Sequence, residues 1–256
     1  MLSTKGCPLN RHPLVEARAL TVRFGGLTAV DAVSAAFAPG ELVGIIGPNG
    51  AGKTTFFNAL SGVVAPTSGE LFALGQPLAG AAPHRFAEHG IARTFQTPRV
   101  FASLSVAANV GFGLRFAGRR RPVPALLRDE ASILALLGLE AQAALPAAAI
   151  TPSQQRLLEI GMALATRPRV LLLDEVAAGL VEREIEAIAR LAHRLRDELD
   201  LTVIWIEHAV TTLLRQVERV IVLHEGRKIA DGTPAEVVRN PVVVEAYLGD
   251  EMAEPE

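Results

Sequence analysis

The sequence predicts an α/β fold: a mixed sheet around a phosphate-binding loop, an antiparallel β layer ahead of it, and an inserted α-helical subdomain. Three observations carry this. An apolar run, a glycine-rich turn and a segment of helix-forming spacing follow one another between Glu41 and Leu60 (ELVGIIGPNGAGKTTFFNAL). Val170 to Asp174 (VLLLD) and Thr202 to Ile206 (TVIWI) are continuous apolar runs standing beside acids, as strands buried on both faces of a sheet read. From Ser103 to Ile150 alanine- and leucine-rich segments of helical character replace the strands.

Half of the 256 residues are apolar, enough for one large domain or one domain with a subdomain. The net charge of −2 gives no basis for a nucleic-acid partner. The single cysteine, Cys7, excludes an intramolecular disulfide and a cysteine-based metal cluster, which fits a reducing compartment. No basic-then-apolar leader opens the chain. No apolar run approaches the ~20 residues that cross a bilayer, so membrane contact is expected through a partner protein.

In chain order, residues 1–13 read as a loose arm with Pro8 and Pro13. Leu14 to Phe24 and Leu27 to Phe37 alternate like strands around the turn Gly25-Gly26, an antiparallel hairpin layer. Phe24, at the strand end, is either a half-buried strand residue or a ring on which a nucleotide base stacks. Glu70 to Leu74 and Ile91 to Gln96 are short strands, the second closed by Thr97-Pro98. Gln96 is thereby a polar residue at a strand end, either solvated surface or a contact for Mg²⁺ and an attacking water. Arg119, Arg120 and Arg121 form a basic run between helices, a solvated loop or a contact with headgroups or a partner.

Thr151-Pro152-Ser153-Gln154 is a helix start: Thr as cap, Pro at the first helical position and Gln three residues after the cap. The helix runs to Ala165, and such a terminus serves structure alone or anion recognition. Glu182 to Leu199 is a charged amphipathic helix. Arg219 to Leu223 and Arg227 to Ala230 are strands, and a Gly-Thr-Pro start at Gly232 opens the last short helices.

The chemistry concentrates in two places. Gly47, Pro48, Asn49, Gly50, Ala51, Gly52, Lys53, Thr54 and Thr55 follow a strand and open a helix, the context a phosphate cradle requires. Its glycines let successive N–H groups face one anion, Lys53 reaches the β- and γ-phosphates, and the Thr54 hydroxyl holds Mg²⁺. About 120 residues later Asp174 and Glu175 close a buried strand, where carboxylates order Mg²⁺ through its waters and take a proton from an attacking water. His208, just past another strand end, stands level with them.

With these residues placed, the chain from about Leu14 to Gly249 resembles the nucleotide-binding subunit of an ABC transporter. GPNGAGKTT is similar to its Walker A motif and VLLLDE to its Walker B; Gln96 matches the Q-loop, His208 the switch histidine, Phe24 the adenine-stacking aromatic, and Ala177 to Leu180 the loop after Walker B. FGGLTAV (24–30), GIARTFQ (90–96) and NPVVVEAYLG (240–249) look like the branched-chain amino-acid importer group, with urea or amide importers sharing these features.

The resemblance implies a P-loop NTPase core of the ABC ATPase kind over 14–98 and 166–256 with a helical subdomain over about 99–165. It implies ATP and Mg²⁺ as cofactors and a site at the face between two cassettes, as homodimer or heterodimer. Membrane permeases above, an external solute-binding protein and a peripheral place on the cytoplasmic face of the inner membrane complete the expectation. Thr54, Gln96 and Asp174 would organise Mg²⁺, Glu175 would polarise water, and His208 would sense the γ-phosphate.

Two departures stand out. The signature motif, usually close to Leu-Ser-Gly-Gly-Gln, is Ile150-Thr151-Pro152-Ser153-Gln154, so Pro152 removes one N–H and Ser153 adds a side chain where backbone approaches phosphate. Thr151, Ser153 and Gln154 would meet the partner's nucleotide. Val176 replaces the proline that normally follows the Walker B glutamate. These changes raise an alternative, an ATP-binding dimerisation subunit with impaired hydrolysis, beside the transport ATPase.

Overall fold

The structure is a computed structural model that describes residues 12–117, 123–207 and 210–251. The expected arm is outside it as far as residue 11, as are the Arg119–Arg121 run and His208.

The chain folds through β1 (Val15–Phe24), β2 (Leu27–Phe37), β3 (Leu42–Ile46), α1 (Lys53–Leu60), β4 (Ser68–Ala73), β5 (Gln76–Pro77), α2 (Pro83–Glu88) and β6 (Ile91–Arg93). Next come α3 (Val106–Phe116), α4 (Glu130–Leu137), α5 (Pro152–Ala165), β7 (Val170–Asp174), α6 (Glu182–Leu199) and β8 (Thr202–Ile206). The chain ends with α7 (Val210–Leu214), β9 (Arg219–His224), β10 (Arg227–Gly232), α8 (Pro234–Val237) and α9 (Pro241–Glu251). Between β6 and β7 the described chain is helical throughout its regular elements. No described helix is long and apolar enough to cross a membrane.

Two sheets result, an antiparallel one ordered β2-β1-β4-β5 and a mixed one ordered β10-β9-β3-β8-β7-β6. In the mixed sheet β9, β3, β8, β7 and β6 are parallel and β10 returns antiparallel. The apolar runs are continuous because alternate residues serve two cores. Val43, Ile45, Leu172, Ile204 and Ile221 face the layer between the sheets, with Phe56 and Phe57 of α1. Leu42, Ile46, Leu173, Trp205 and Val222 face the helices on the opposite side. Central parallel strands must be apolar on both faces, and these are.

Two expectations shift. The strand expected over Ile91 to Gln96 ends at Arg93, because the Phe95 and Arg99 amides turn to the buried Glu159 carboxylate on α5 (3.3 and 3.0 Å) instead of continuing the ladder. The strand expected over Glu70 to Leu74 runs from Ser68 to Ala73, with Leu74 at φ 51° in the turn before β5.

Within the helical stretch, Asn109 is fully buried and closes the loop before α3: its amide donates to the carbonyls of Phe101 and Ser105 (3.1 and 2.9 Å) and accepts from the Phe101 amide (2.7 Å). That loop is the continuation of the Gln96 segment, so the helices and the mixed sheet meet there.

Candidate nucleotide site

The parallel strands deliver their functional residues to one edge. β3 ends into the glycine loop, β6 leads to Gln96, β7 ends on Asp174 opposite Ile206, and β8 leads to Glu207. Ligands sit at the carboxyl ends of such strands.

The loop is shaped by close backbone approach. A Cβ on Gly47 would lie 2.1 Å from the Leu223 carbonyl, and one on Gly52, at φ 93°, would lie 2.2 Å from the Ala29 carbonyl. Only glycine fits either position. Gly52 then opens α1 with no side-chain cap, whereas α3, α4, α5 and α8 are capped by Ser105, Asp129, Thr151 and Thr233. An uncapped first turn beside a curled loop is where an anion satisfies the N–H groups. The buried Lys53 ammonium donates to the carbonyls of Gly47 and Pro48 (2.6 and 2.8 Å), so the cation is held inside the loop.

A cleft of about 670 Å³ opens above the loop, lined by Asn49 to Thr55, Gln96 and Glu175 and by Leu27 to Ala29, Glu225 and Gly226. Its volume suits a nucleotide-sized ligand. Gln96 donates to the Glu175 carboxylate at 2.6 Å, bringing together two residues far apart in the chain. Glu175 sits at φ 48°, its amide on the Ile206 carbonyl (3.0 Å) and its own carbonyl on Arg156 (3.2 Å).

Asp174 lies deeper and is not among the residues lining the cleft. Its carboxylate pairs with Arg93 at 2.7 Å, with only 4% of the Asp174 side chain exposed. Burial lowers the Arg93 pKa, and the Asp174 charge raises it. The Thr54 hydroxyl, the Gln96 amide and the two carboxylates form an oxygen-rich set, the donor type that suits Mg²⁺.

Phe24 stands at the end of β1, half exposed and outside the cleft lining, which the next residues Leu27, Thr28 and Ala29 supply instead. Thr151, Ser153 and Gln154 also lie outside it. Thr151 accepts from the Gln154 amide (3.2 Å) while the Gln154 side chain accepts from the Thr151 amide (3.0 Å), a reciprocal capping box. The Ser153 hydroxyl hydrogen-bonds that of Thr151 (3.0 Å) and stands beside Glu184 at the start of α6, helping to hold that carboxyl below its ordinary pKa.

Sequence reasoning missed Ala29, Glu225 and Gly226. The β9–β10 turn docks on the loop through the Gly226 amide to the Ala51 carbonyl (3.1 Å), and Arg227 pairs with Asp31 of β2 (2.7 Å). The Glu-Gly step between two apolar runs was a readable hairpin signal; its docking place was not.

This arrangement, a glycine cradle with an uncapped helix facing a Gln–Glu pair and a deeper acid, suits hydrolysis of a phosphoanhydride. Residues 30–178 match the family profile described as ABC transporter. The chain belongs to the ABC transporter family. It is an ATP-binding transport ATPase of the α/β cassette fold.

A second profile, described as branched-chain amino acid ATP-binding cassette transporter, matches residues 227–253 of this ABC ATPase. The chain is 38% identical over 252 residues to the high-affinity branched-chain amino acid transport ATP-binding protein BraF of Pseudomonas aeruginosa, covering 93% of this chain and 99% of BraF. Identity to LivG of Escherichia coli, of the same description, is 36% with the same coverage. Among solved structures, the ADP conformation of MJ1267, an ATP-binding cassette of an ABC transporter, superposes with TM-score 0.81 at 28% identity, over 93% of this chain and 99% of that one. A dimeric post-hydrolysis cassette, MJ0796 bound to ADP and Pi, gives TM-score 0.74 at 25% identity over 86% and 98%.

Proposed function

We propose that this ABC ATPase powers an importer for branched-chain amino acids, working as one of two cassettes beneath membrane permeases at the cytoplasmic face of the inner membrane. The observation that carries the solute class is the match of residues 227–253 to the branched-chain profile, with the BraF and LivG identities supporting it. An external solute-binding protein would feed the complex. The core would comprise residues 14–98 and 166–256 and the helical subdomain about 99–165.

The chain's own residues divide the chemistry. The amides of Gly50 to Thr55 and the Lys53 ammonium would hold the β- and γ-phosphates. Thr54, Gln96 and Asp174 would hold Mg²⁺, which neutralises phosphate charge when bound. Glu175, held by Gln96 at 2.6 Å, would take a proton from the water that attacks the γ-phosphorus, releasing ADP and phosphate. His208 would contact the γ-phosphate, and Phe24 the base. Thr151, Ser153 and Gln154 would face the nucleotide of the partner cassette.

The test is uptake. Reconstituted in liposomes with its permeases and solute-binding protein, the chain should support ATP-dependent leucine accumulation, and Glu175→Gln should abolish it while retaining bound ATP. Uptake of urea or an amide in place of leucine would overturn the solute class; accumulation that survives Glu175→Gln would overturn the assignment of the base.

A further inference from the structure

A second cavity, of about 400 Å³, opens at the amino ends of β7 and β8, the edge of the mixed sheet opposite the nucleotide cleft. Arg167 to Arg169 form one wall, Leu199 to Leu201 another, and Pro124 and Leu127, ahead of α4, the third. The first two walls are joined by the Thr202 amide on the Arg169 carbonyl (3.0 Å). The nucleotide site uses none of these residues.

The walls are mostly apolar, and Leu127 and Leu201 are each 2% exposed. The charged lining is Arg167, Arg169 and Asp200. Arg167 Nη2 reaches the Arg128 carbonyl only at 3.5 Å, and its buried Nε has no hydrogen-bond partner. Among the described residues no carboxylate pairs with Arg167 or Arg169. A buried guanidinium N–H left unpaired is costly, and an anion between two arginines satisfies it. Arg167 is also held at φ 57°, a left-handed backbone that a long side chain seldom adopts.

We propose that this cavity binds a small carboxylate with a branched aliphatic body, its carboxylate on Arg167 and Arg169 and its body against Leu127, Leu199 and Leu201. The planar arginine fork matches a carboxylate edge. Two arginines against one aspartate leave a single positive charge, which suits a monoanion, and the leucine walls disfavour a fully hydrated phosphate. A branched-chain amino acid and the α-keto acid of the same skeleton share this chemistry. They differ at the α-carbon, where the Asp200 charge favours an ammonium. The ligand class comes from the cavity; only its coincidence with the transported solute rests on the importer reading above. Because the walls come from the mixed sheet and from the stretch before α4, a bound ligand joins the two.

The experiment is calorimetric titration and thermal melting of the full chain, saturated with ADP so that the nucleotide cleft is filled, against leucine, its α-keto acid and inorganic phosphate. One of the two carboxylates should saturate near about 1 mM, the scale for a ligand of so few atoms. At about ten times that concentration it should raise the melting temperature by about 3–5 °C, and phosphate should not. Arg169→Gln should weaken binding about ten-fold or more. Arg167→Gly should do the same while folding normally, since glycine suits the φ found there. Leucine binding that Asp200→Asn weakens identifies the amino acid as ligand; α-keto acid binding that Asp200→Asn strengthens identifies the keto acid.

Phosphate that binds as well as the carboxylates reduces the cavity to a basic surface and overturns the proposal. So does carboxylate binding that both arginine variants retain, or an absence of heat and melting shift with either carboxylate. None of these results touches leucine uptake by the assembled complex, and loss of uptake leaves binding to the isolated chain unaffected, so the two readings fail separately.

Discussion

Arg156 lies one turn after the Thr151 cap and bridges two loops, the one after β6 and the one after β7. Its guanidinium donates to the carbonyls of Gln96 (3.0 Å), Glu175 (3.2 Å) and Ala178 (3.3 Å). Those carbonyls belong to the Gln96 segment and to the loop after β7, which carry the residues proposed as the attacking-water contact and the general base. Arg156→Met should cost about 3 kcal/mol in chemical denaturation, since carbonyls buried beneath the site lose a charged donor. It should lower kcat more than it raises KM for ATP, because the cradle itself is untouched. Glu207 gives a pH prediction. Burial pushes its carboxyl above the ordinary 4.5, against hydrogen bonds from the Trp205 ring N–H (2.9 Å) and the Ala177 amide (2.7 Å). A raised folded pKa means that the native state binds this proton more tightly than the unfolded chain. The group therefore costs stability as pH rises from the unfolded value through the folded one. Glu207→Gln keeps an oxygen for both donors and removes the charge. It should melt higher than wild type at neutral pH, with the difference vanishing below pH 4.5, as scanning calorimetry across pH would read.

Helix α5 illustrates how one element serves fold and site together. Its capping box is complete, and Thr151→Ala should cost the isolated chain about 1 kcal/mol, a fall of roughly 2–4 °C in melting temperature for a domain of this size. Thr233→Ala, at the equally boxed but remote α8, is the comparison: a similar effect on melting, with no effect on the ATPase rate of the assembled complex. Elements were legible where one local rule decided them. The strands β3, β7 and β8 were readable because burial on both faces makes them apolar without interruption, and α5 because Thr, Pro and Gln occupy capping positions. β5 has two residues and α2 starts at Pro83 after Ala82 with no side-chain cap, so neither leaves a periodic or capping signal. The premature end of β6 depends on Glu159, more than 60 residues on, and no local pattern announces such a partner.

At the scale of the whole molecule the same division holds for the site. The glycine loop, Gln96, Asp174 and Glu175 could be placed at loop and strand ends because contiguous residues fix those positions, whereas Ala29, Arg93, Arg156 and Gly226 act through contacts between distant parts of the chain. On the proposed dimer, a single chain contributes half of each of two composite sites. Its cleft holds the loop and the Gln–Glu pair, while Thr151 to Gln154 lie outside that cleft with the Ser153 hydroxyl on that of Thr151. On the proposed dimer, this chain's own site is completed by its partner's signature and the partner's nucleotide meets the altered one. On that reading Ser153→Gly removes the side chain that would separate the α5 backbone from phosphate and releases its bond to the Thr151 hydroxyl, and near a helix N-terminus glycine is tolerated at a few tenths of a kcal/mol. The ATPase rate of the assembled heterodimer should rise up to about two-fold as the partner's site becomes competent, whereas a homodimer, with the defect in both sites, should rise well beyond that if each glycine contact contributes the ~1–3 kcal/mol of a charge-assisted hydrogen bond. Steady-state rates with nucleotide occupancy measured by filter binding separate the two, and an unchanged rate with unchanged occupancy would show that the altered signature does not limit turnover.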